Sequence, residues 1–321
     1  MPDSLDYDQM SLQDFVNLQR TLDRELRRRF ERTAALVFTD VVGSTAYIAR
    51  YGDVAGRALL QRHHDLLREA LEGSSGRVVD TAGDGAFCVA GSAEEAAAIL
   101  IRLQNLILRD NAEAPAQDHL SVRSGLHWGR VLTDGDLVTG EAVHAAARLA
   151  AEAAGAEILL SRAAAALLPH ALSARTLALP IRSVKGLPTP IEPLSLDWRE
   201  PELHPSLLSV VETRSERVLP LAPRVTVGRL PAEAGAAHVA VSLRDPAATQ
   251  RVSRRHIALT LRPDGYALEV LSRAPTTLNG EPLEPGATVR VGAGDEIGLS
   301  RVVTLQLRPH GRRIDRDQTM L

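Results

Sequence analysis

The spacing of apolar residues changes character at Trp198, and that change divides the chain between two classes of fold. Before it, helical and extended patterns alternate. Residues 36–41 predict a buried strand, and 56–71, through Leu59, Leu60, His63, Leu66, Leu67 and Leu71, predict an amphipathic helix. Residues 77–90 read as a hairpin turning at Gly83-Asp84-Gly85, and Ser92 with Glu95 reads as a capping box opening a helix to about Arg109. A strand at 121–127 and a helix at 141–154 follow. This order predicts an α+β domain, an α/β sandwich with helices over a sheet, across 34–198. Beyond a polar linker at 199–204, short runs at 224–227, 238–243, 256–261, 266–271, 287–291 and 302–307 are separated by turns such as Pro263-Asp264-Gly265 and Asn279-Gly280. That texture predicts an all-β sandwich across 205–308, with a tail at 309–321.

The N-terminal segment, 1–33, contains its own helical pattern, with Leu12, Phe15, Leu18, Leu22, Leu26 and Phe30 three or four apart. Its other side carries six arginines between Arg20 and Arg32, either a solvated basic face or the flank of a short coiled coil that feeds a dimer.

Composition narrows the function. A net charge of −3 and 3% aromatic residues argue against nucleic acid, which calls for a basic face and stacking platforms. One cysteine, Cys88, excludes an internal disulfide framework and a cysteine-built metal site. No apolar run is long enough to span a bilayer and no leader pattern precedes the first domain, so the expectation is a cytoplasmic protein without a membrane partner.

Two aspartates carry the chemistry. Asp40 closes the first strand in Val37-Phe-Thr-Asp-Val-Val-Gly-Ser-Thr45, and Asp84 sits at the hairpin tip in Thr81-Ala-Gly-Asp-Gly-Ala-Phe87. If the hairpin pairs beside the first strand, both carboxylates enter one cleft, where two hard oxygen donors suit Mg²⁺ or Mn²⁺ shared with substrate phosphates. Gly43, Ser44 and Thr45 then begin a helical segment whose free amides favour phosphate.

These segments, with Gly76-Arg-Val-Val-Asp-Thr-Ala-Gly-Asp-Gly85, Gly125-Leu-His-Trp-Gly129 and Gly140-Glu-Ala-Val-His-Ala-Ala-Ala-Arg-Leu149, resemble the class III nucleotidyl cyclases from about Ala35 to Asp197. The resemblance implies a ferredoxin-like palm, a head-to-tail homodimer with active sites at the interface, and two metal ions held by Asp40, Asp84 and the Val41 carbonyl. It implies conversion of a nucleoside triphosphate to a 3′,5′-cyclic nucleotide and pyrophosphate. The family's asparagine and arginine, four apart on one helix, fall on His144 and Arg148; Arg148 matches and His144 departs. Lys185, the one lysine among 37 basic residues, is similar to the family lysine that reaches the terminal phosphates. Base recognition falls on Asp80 and Leu137; an ionised carboxylate only accepts hydrogen bonds, which favours GTP over ATP and leaves pyrimidine nucleotides open. The alternative is a degenerate, dimeric cyclase fold acting as a signalling adaptor, favoured by His144 and Asp80.

In the second domain, Val225-Thr-Val-Gly-Arg229, Val252-Ser-Arg-Arg-His256 and Thr276-Thr-Leu-Asn-Gly280 resemble the signatures of forkhead-associated (FHA) domains. The resemblance implies an eleven-stranded sandwich that reads phosphothreonine. Arg229, Ser253 and Arg254 would grip the phosphate with Thr276 in support, Asn279 would bond the peptide backbone, and His256 would brace a loop. Docking of a phosphopeptide near the linker is expected to shift the dimer between open and closed forms. Thr319, in the tail, is a candidate phosphorylated ligand for the same domain.

Overall fold

The computed structural model describes residues 10–81, 83–179, 192–200, 203–212, 215–229, 238–240 and 246–309. Helix α1 (Leu12–Phe30) opens on a capping box between Ser11 and Asp14 and buries none of its residues. It leads without a break into strand β1 (Glu31–Val41). Helices α2 (Ser44–Tyr51) and α3 (Asp53–Leu71) follow, then the hairpin of β2 (Arg77–Asp80) and β3 (Gly85–Ala90), α4 (Ala93–Glu113), β4 (Val122–Thr133), β5 (Val138–Thr139) and α5 (Glu141–Glu152). Strand β6 (Ile158–Leu160), short helices α6 (Arg162–Ala165) and α7 (His170–Ser173), β7 (Thr176–Ala178) and β8 (Leu194–Leu196) complete this part.

These strands form one sheet in the order β2-β3-β1-β4-β6-β8-β7, with β5 paired to β4. β1 lies antiparallel to both neighbours, so Asp40 stands opposite Gly85 on one side and Arg123 on the other. Period-two alternation sorts β1 by face. Ala35, Val37 and Val41 join the buried cluster with Leu59 and Leu67 of α3 and Leu100 and Leu103 of α4. Leu36 and Phe38 turn to the other face, where Ala142 and Ala146 of α5 cover part of it. The result is the ferredoxin-like α+β palm expected. The capping box at α4 is half formed. Ser92 accepts from the Glu95 amide at 3.1 Å, but the Glu95 carboxylate takes the Ser75 and Gly91 amides at 2.6 and 3.2 Å instead of the Ser92 backbone.

Helix α5 approaches β4 at Gly125, where an added Cβ would strike the backbone at Ala146 and Ala150. Because backbone cannot swing aside as a side chain can, Gly125→Ala is expected to destabilise the chain by about 3 kcal/mol, read as a lower urea midpoint.

The second part is a sandwich: β9 (Leu207–Glu212), β10 (Ser215–Pro220), β11 (Arg224–Gly228), β12 (His238–Ala240), helix α8 (Pro246–Arg251), β13 (Ile257–Arg262), β14 (Gly265–Val270), β15 (Thr276–Leu278), β16 (Glu281–Leu283), β17 (Thr288–Val291), β18 (Glu296–Leu299) and β19 (Val303–Arg308). Among the described residues six strands pair as β10-β9-β19-β18-β15-β16 and five as β12-β11-β13-β14-β17, which matches the all-β class expected. Asn279 and Gly280, both at positive φ (52° and 90°), make the tight turn between β15 and β16.

Candidate functional site

The end of β1 and the β2–β3 turn are tied together by a backbone bond from the Val41 amide to the Asp84 carbonyl, 3.3 Å. That bond brings Asp40 and Asp84 to one cleft of about 230 Å³, together with Asp80, Arg123, Phe38 and Phe87. The two phenylalanine rings stack at 4.6 Å between centroids, 11° from parallel, and form an apolar wall beside the carboxylates. Ala147 and Ala150 of α5 close the other side.

The two carboxyls feel each other. Burial, with Asp84 repelling it, raises Asp40 above the usual carboxylate range despite the Arg123 guanidinium. Burial also works against the charge on Asp84. The Ser44 hydroxyl, a backbone bond, Asp40 and Arg123 outweigh it and hold Asp84 below its ordinary value. Two oxygen-donor groups this close favour either a proton or a cation between them. Among the described residues no third carboxylate, histidine or cysteine converges with them to complete a metal site. Further ligands would have to come from backbone, water and phosphate, which is how Mg²⁺ and Mn²⁺ are held with a triphosphate. The donor set therefore fits that class of ion.

The other candidates are placed as follows. Ser44 is buried and its hydroxyl donates to the Asp84 carboxylate; Gly43 is the N-cap of α2 at φ 78°, and Thr45 is exposed in its first turn. Val41 is 2% exposed. Leu137 is 63% exposed on the β4–β5 turn and outside the cleft. On α5, His144 is exposed, while Arg148 is half-buried with Nη1 enclosed and no hydrogen-bond partner. Neither lines the cleft of its own chain. Lys185 and Thr319 lie outside the described residues.

Arg123 was not foreseen. Its Nε and Nη2 bind one Asp40 oxygen at 2.7 and 2.5 Å, and its Nη1 donates to the Ala151 carbonyl at 2.9 Å. It thus joins the aspartate to the end of α5. Only the β1–β4 register brings it opposite Asp40, and sequence spacing does not reveal that register.

At one end of the sandwich, β11 ends on Gly228 so close to the 253–254 backbone that a Cβ there would strike the Arg254 carbonyl. The Arg229 amide then donates to the Ser253 carbonyl at 3.0 Å. Arg229 keeps a buried Nε without a hydrogen-bond partner, and Arg254 is exposed. A chain of hydrogen bonds fixes the neighbouring loop. The Ser253 amide donates to His256 Nδ1 at 3.2 Å, so the other ring nitrogen carries the proton and donates to the Thr276 hydroxyl at 3.1 Å; that hydroxyl donates to the Ala274 carbonyl at 3.3 Å. Burial lowers the His256 pKa, which keeps the ring neutral as this chain requires. Thr276 is buried among these bonds, and the Ser253 and Ser272 hydroxyls meet at 2.5 Å. Asn279 accepts from the Glu296 amide and donates to Asp295, both at 2.9 Å, which leaves its second amide hydrogen to offer.

No described helix is long and apolar enough to cross a membrane. The chain is 30% identical over 183 residues to the adenylate cyclase of the yeast Lachancea kluyveri, an alignment covering 47% of this chain and 10% of that protein. It is 31% identical over 106 residues to the serine/threonine-protein kinase pkn2 of Myxococcus xanthus, covering 33% of this chain and 13% of the kinase. It therefore spans about a tenth of the length of those curated relatives. A solved adenylate cyclase from Trypanosoma brucei in its monomeric state is 23% identical, with a TM-score of 0.46, over 52% of this chain and 90% of that one. The FHA domain model matches residues 225–300. The adenylate and guanylate cyclase catalytic domain model matches residues 28–189, half of the chain, and the chain belongs to that family, with an FHA domain following.

Proposed function

We propose that the chain cyclises a nucleoside triphosphate: the ribose 3′-oxygen bonds to the α-phosphorus, the bond to the β-phosphate oxygen breaks, and pyrophosphate leaves. The observation that carries this reading is the convergence of Asp40 and Asp84 in one cleft beside the stacked Phe38 and Phe87. Asp40, Asp84 and the Val41 carbonyl would hold two Mg²⁺ or Mn²⁺ ions, which when bound supply charge for the triphosphate and acidify the 3′-hydroxyl. Arg123 orients Asp40 and presents a fixed positive fork at the cleft's rim. The free amides at Gly43, Ser44 and Thr45 favour phosphate. Asp80, on the cleft wall, accepts hydrogen bonds from a base, which favours guanine.

The site is completed by a second copy of the chain. Arg148, outside its own cleft and with an unpartnered Nη1, would reach the transition-state charge in the facing subunit, with His144 one turn away as a hydrogen-bond donor. Lys185 would reach the terminal phosphates, and Leu137 would enter the base pocket from the partner. Incubation with ATP, GTP, CTP and UTP in Mn²⁺, with product identified by mass, tests the reading: cyclic product from one of them, GTP foremost, is expected. No cyclic product from any of the four would leave a catalytically degenerate, phosphopeptide-binding adaptor, the reading that the exposed His144 favours.

The FHA domain would bind phosphothreonine through Arg229, Ser253 and Arg254, and Asn279 would bond the peptide backbone with its remaining amide hydrogen. The kinase-modified Thr319 of the tail is one such ligand. Arg229→Ala is expected to weaken phosphothreonine-peptide binding roughly 100-fold by titration calorimetry, the scale of losing a charge-assisted, two-pronged contact. Unchanged affinity would exclude the grip.

A further inference from the structure

The described residues between the two folds, polar enough to read as a linker, form a built joint. Trp198 is 4% exposed; its indole N–H donates to the Ala156 carbonyl at 2.7 Å, on the palm side. The next residue turns to the sandwich. Arg199 Nη1 donates to the Leu221 carbonyl at 2.7 Å and lies 3.4 Å from both the Pro205 carbonyl and the Tyr266 hydroxyl. Its Nε pairs with Asp197 at 3.3 Å, and the two side chains are 15% and 7% exposed. Arg175 of the palm donates to the Arg199 carbonyl at 2.7 Å. Around these bonds one apolar cluster runs on from Ile107 and Leu196 through Trp198 to Leu208, Val225 and Leu259.

The joint is at one end of the sandwich only. The Arg262 carbonyl, at the end of β13, accepts from His204 at 2.9 Å, and the Pro223 carbonyl accepts from the Leu261 amide at 2.6 Å. The other end of β13 meets His256 and the Arg229–Ser253 loops. Six residues of strand, about 20 Å, separate the two ends. The phosphate-reading loops therefore lie at the end of β13 opposite the joint.

We infer that Arg199 pins the FHA sandwich to the palm as one rigid body, which makes the sandwich a fixed docking arm that carries its ligand at the far end. A planar fork held by a carboxylate, two carbonyl oxygens and a tyrosine hydroxyl has one geometry, whereas a hinge needs several. The inference goes beyond the proposed reaction and holds whether or not the chain cyclises a nucleotide.

Calorimetry and small-angle X-ray scattering of the full chain, compared at the same oligomeric state, test it. The wild type is expected to melt in one cooperative transition. Arg199→Ala should split that transition in two and extend the distance distribution to longer separations. Arg199→Lys keeps the charge without the fork and should fall between. Two transitions in the wild type, or an Arg199→Ala chain that matches the wild type in both measurements, would overturn the inference. Should the alanine variant fail to fold, the lysine variant decides alone: extra long distances support the pin, and a wild-type profile refutes it.

Discussion

Replacing Asp84 with alanine is expected to lower turnover by about 1,000-fold or more while leaving the chain folded, the scale set by losing a preorganised charge at the reacting phosphate. The paired aspartates explain why activity and stability part company. Burial and the neighbouring Asp84 charge raise the Asp40 pKa above that of an unfolded carboxyl. At Asp40 the folded chain therefore binds more proton than the unfolded one as the pH rises from about 4 through the raised value, and this contribution to ion-free stability falls across that window. Without Asp84 the repulsion is gone and the fall should be shallower, against the loss of one bond from the Ser44 hydroxyl, about 1 kcal/mol. Urea unfolding in chelator from pH 4 to 7 measures this. Manganese supplies the converse test. An ion that binds only the folded chain stabilises it by about 2.7 kcal/mol at 100 times its dissociation constant. The wild type should gain thermal stability with added Mn²⁺ and the alanine variant should not. Equal gains, or retained turnover, would remove Asp84 from the site.

How far sequence reaches can be judged from these same residues. Asp40 and Asp84 were legible because a strand end and a Gly-Asp-Gly turn are local signals, and one hairpin suffices to bring them together. Arg123 was hidden. It precedes Gly125 without any pattern of its own, and its ion pair exists only through the register of β4 against β1. That strand also runs on from the expected His127 to Thr133, because Trp128–Leu132 pair with the first residues of β1, a partner that periodicity does not identify. The runs before 224 concealed β9, whose Leu207–Glu212 stretch does not alternate over its whole length. Arg199 was the clearest miss: a charged residue between a tryptophan and a glutamate reads as solvated linker. Only the sandwich, folding back over it, supplies the acceptors that make it a joint.

The same contrast between local signal and tertiary burial makes His63 a source of acid sensitivity. On α3 it falls in the apolar stripe, and in the fold it is fully buried beneath the sheet, with Nε2 3.0 Å from the Thr39 hydroxyl and Nδ1 without a partner. Burial, with His64 beside it, lowers its pKa to about 4 against the pull of Asp84. An unfolded histidine takes up its proton near 6.5, so as the pH falls from 6.5 to 4 the unfolded chain is protonated where the folded one is not. The His63 contribution to stability is full above 6.5 and drains across that interval by about 3 kcal/mol, at 1.36 kcal/mol for each pH unit. His63→Gln can keep the bond to Thr39 and removes the titration. Its unfolding free energy, measured by urea at pH 7 and pH 4, is expected to fall by about 3 kcal/mol less than that of the wild type. Parallel curves would mean that the ring is not held neutral. Because Thr39 is the residue before Asp40, protonation of His63 is expected to disturb the strand that positions the first carboxylate. Acid should therefore disturb the carboxylate cleft from behind the sheet.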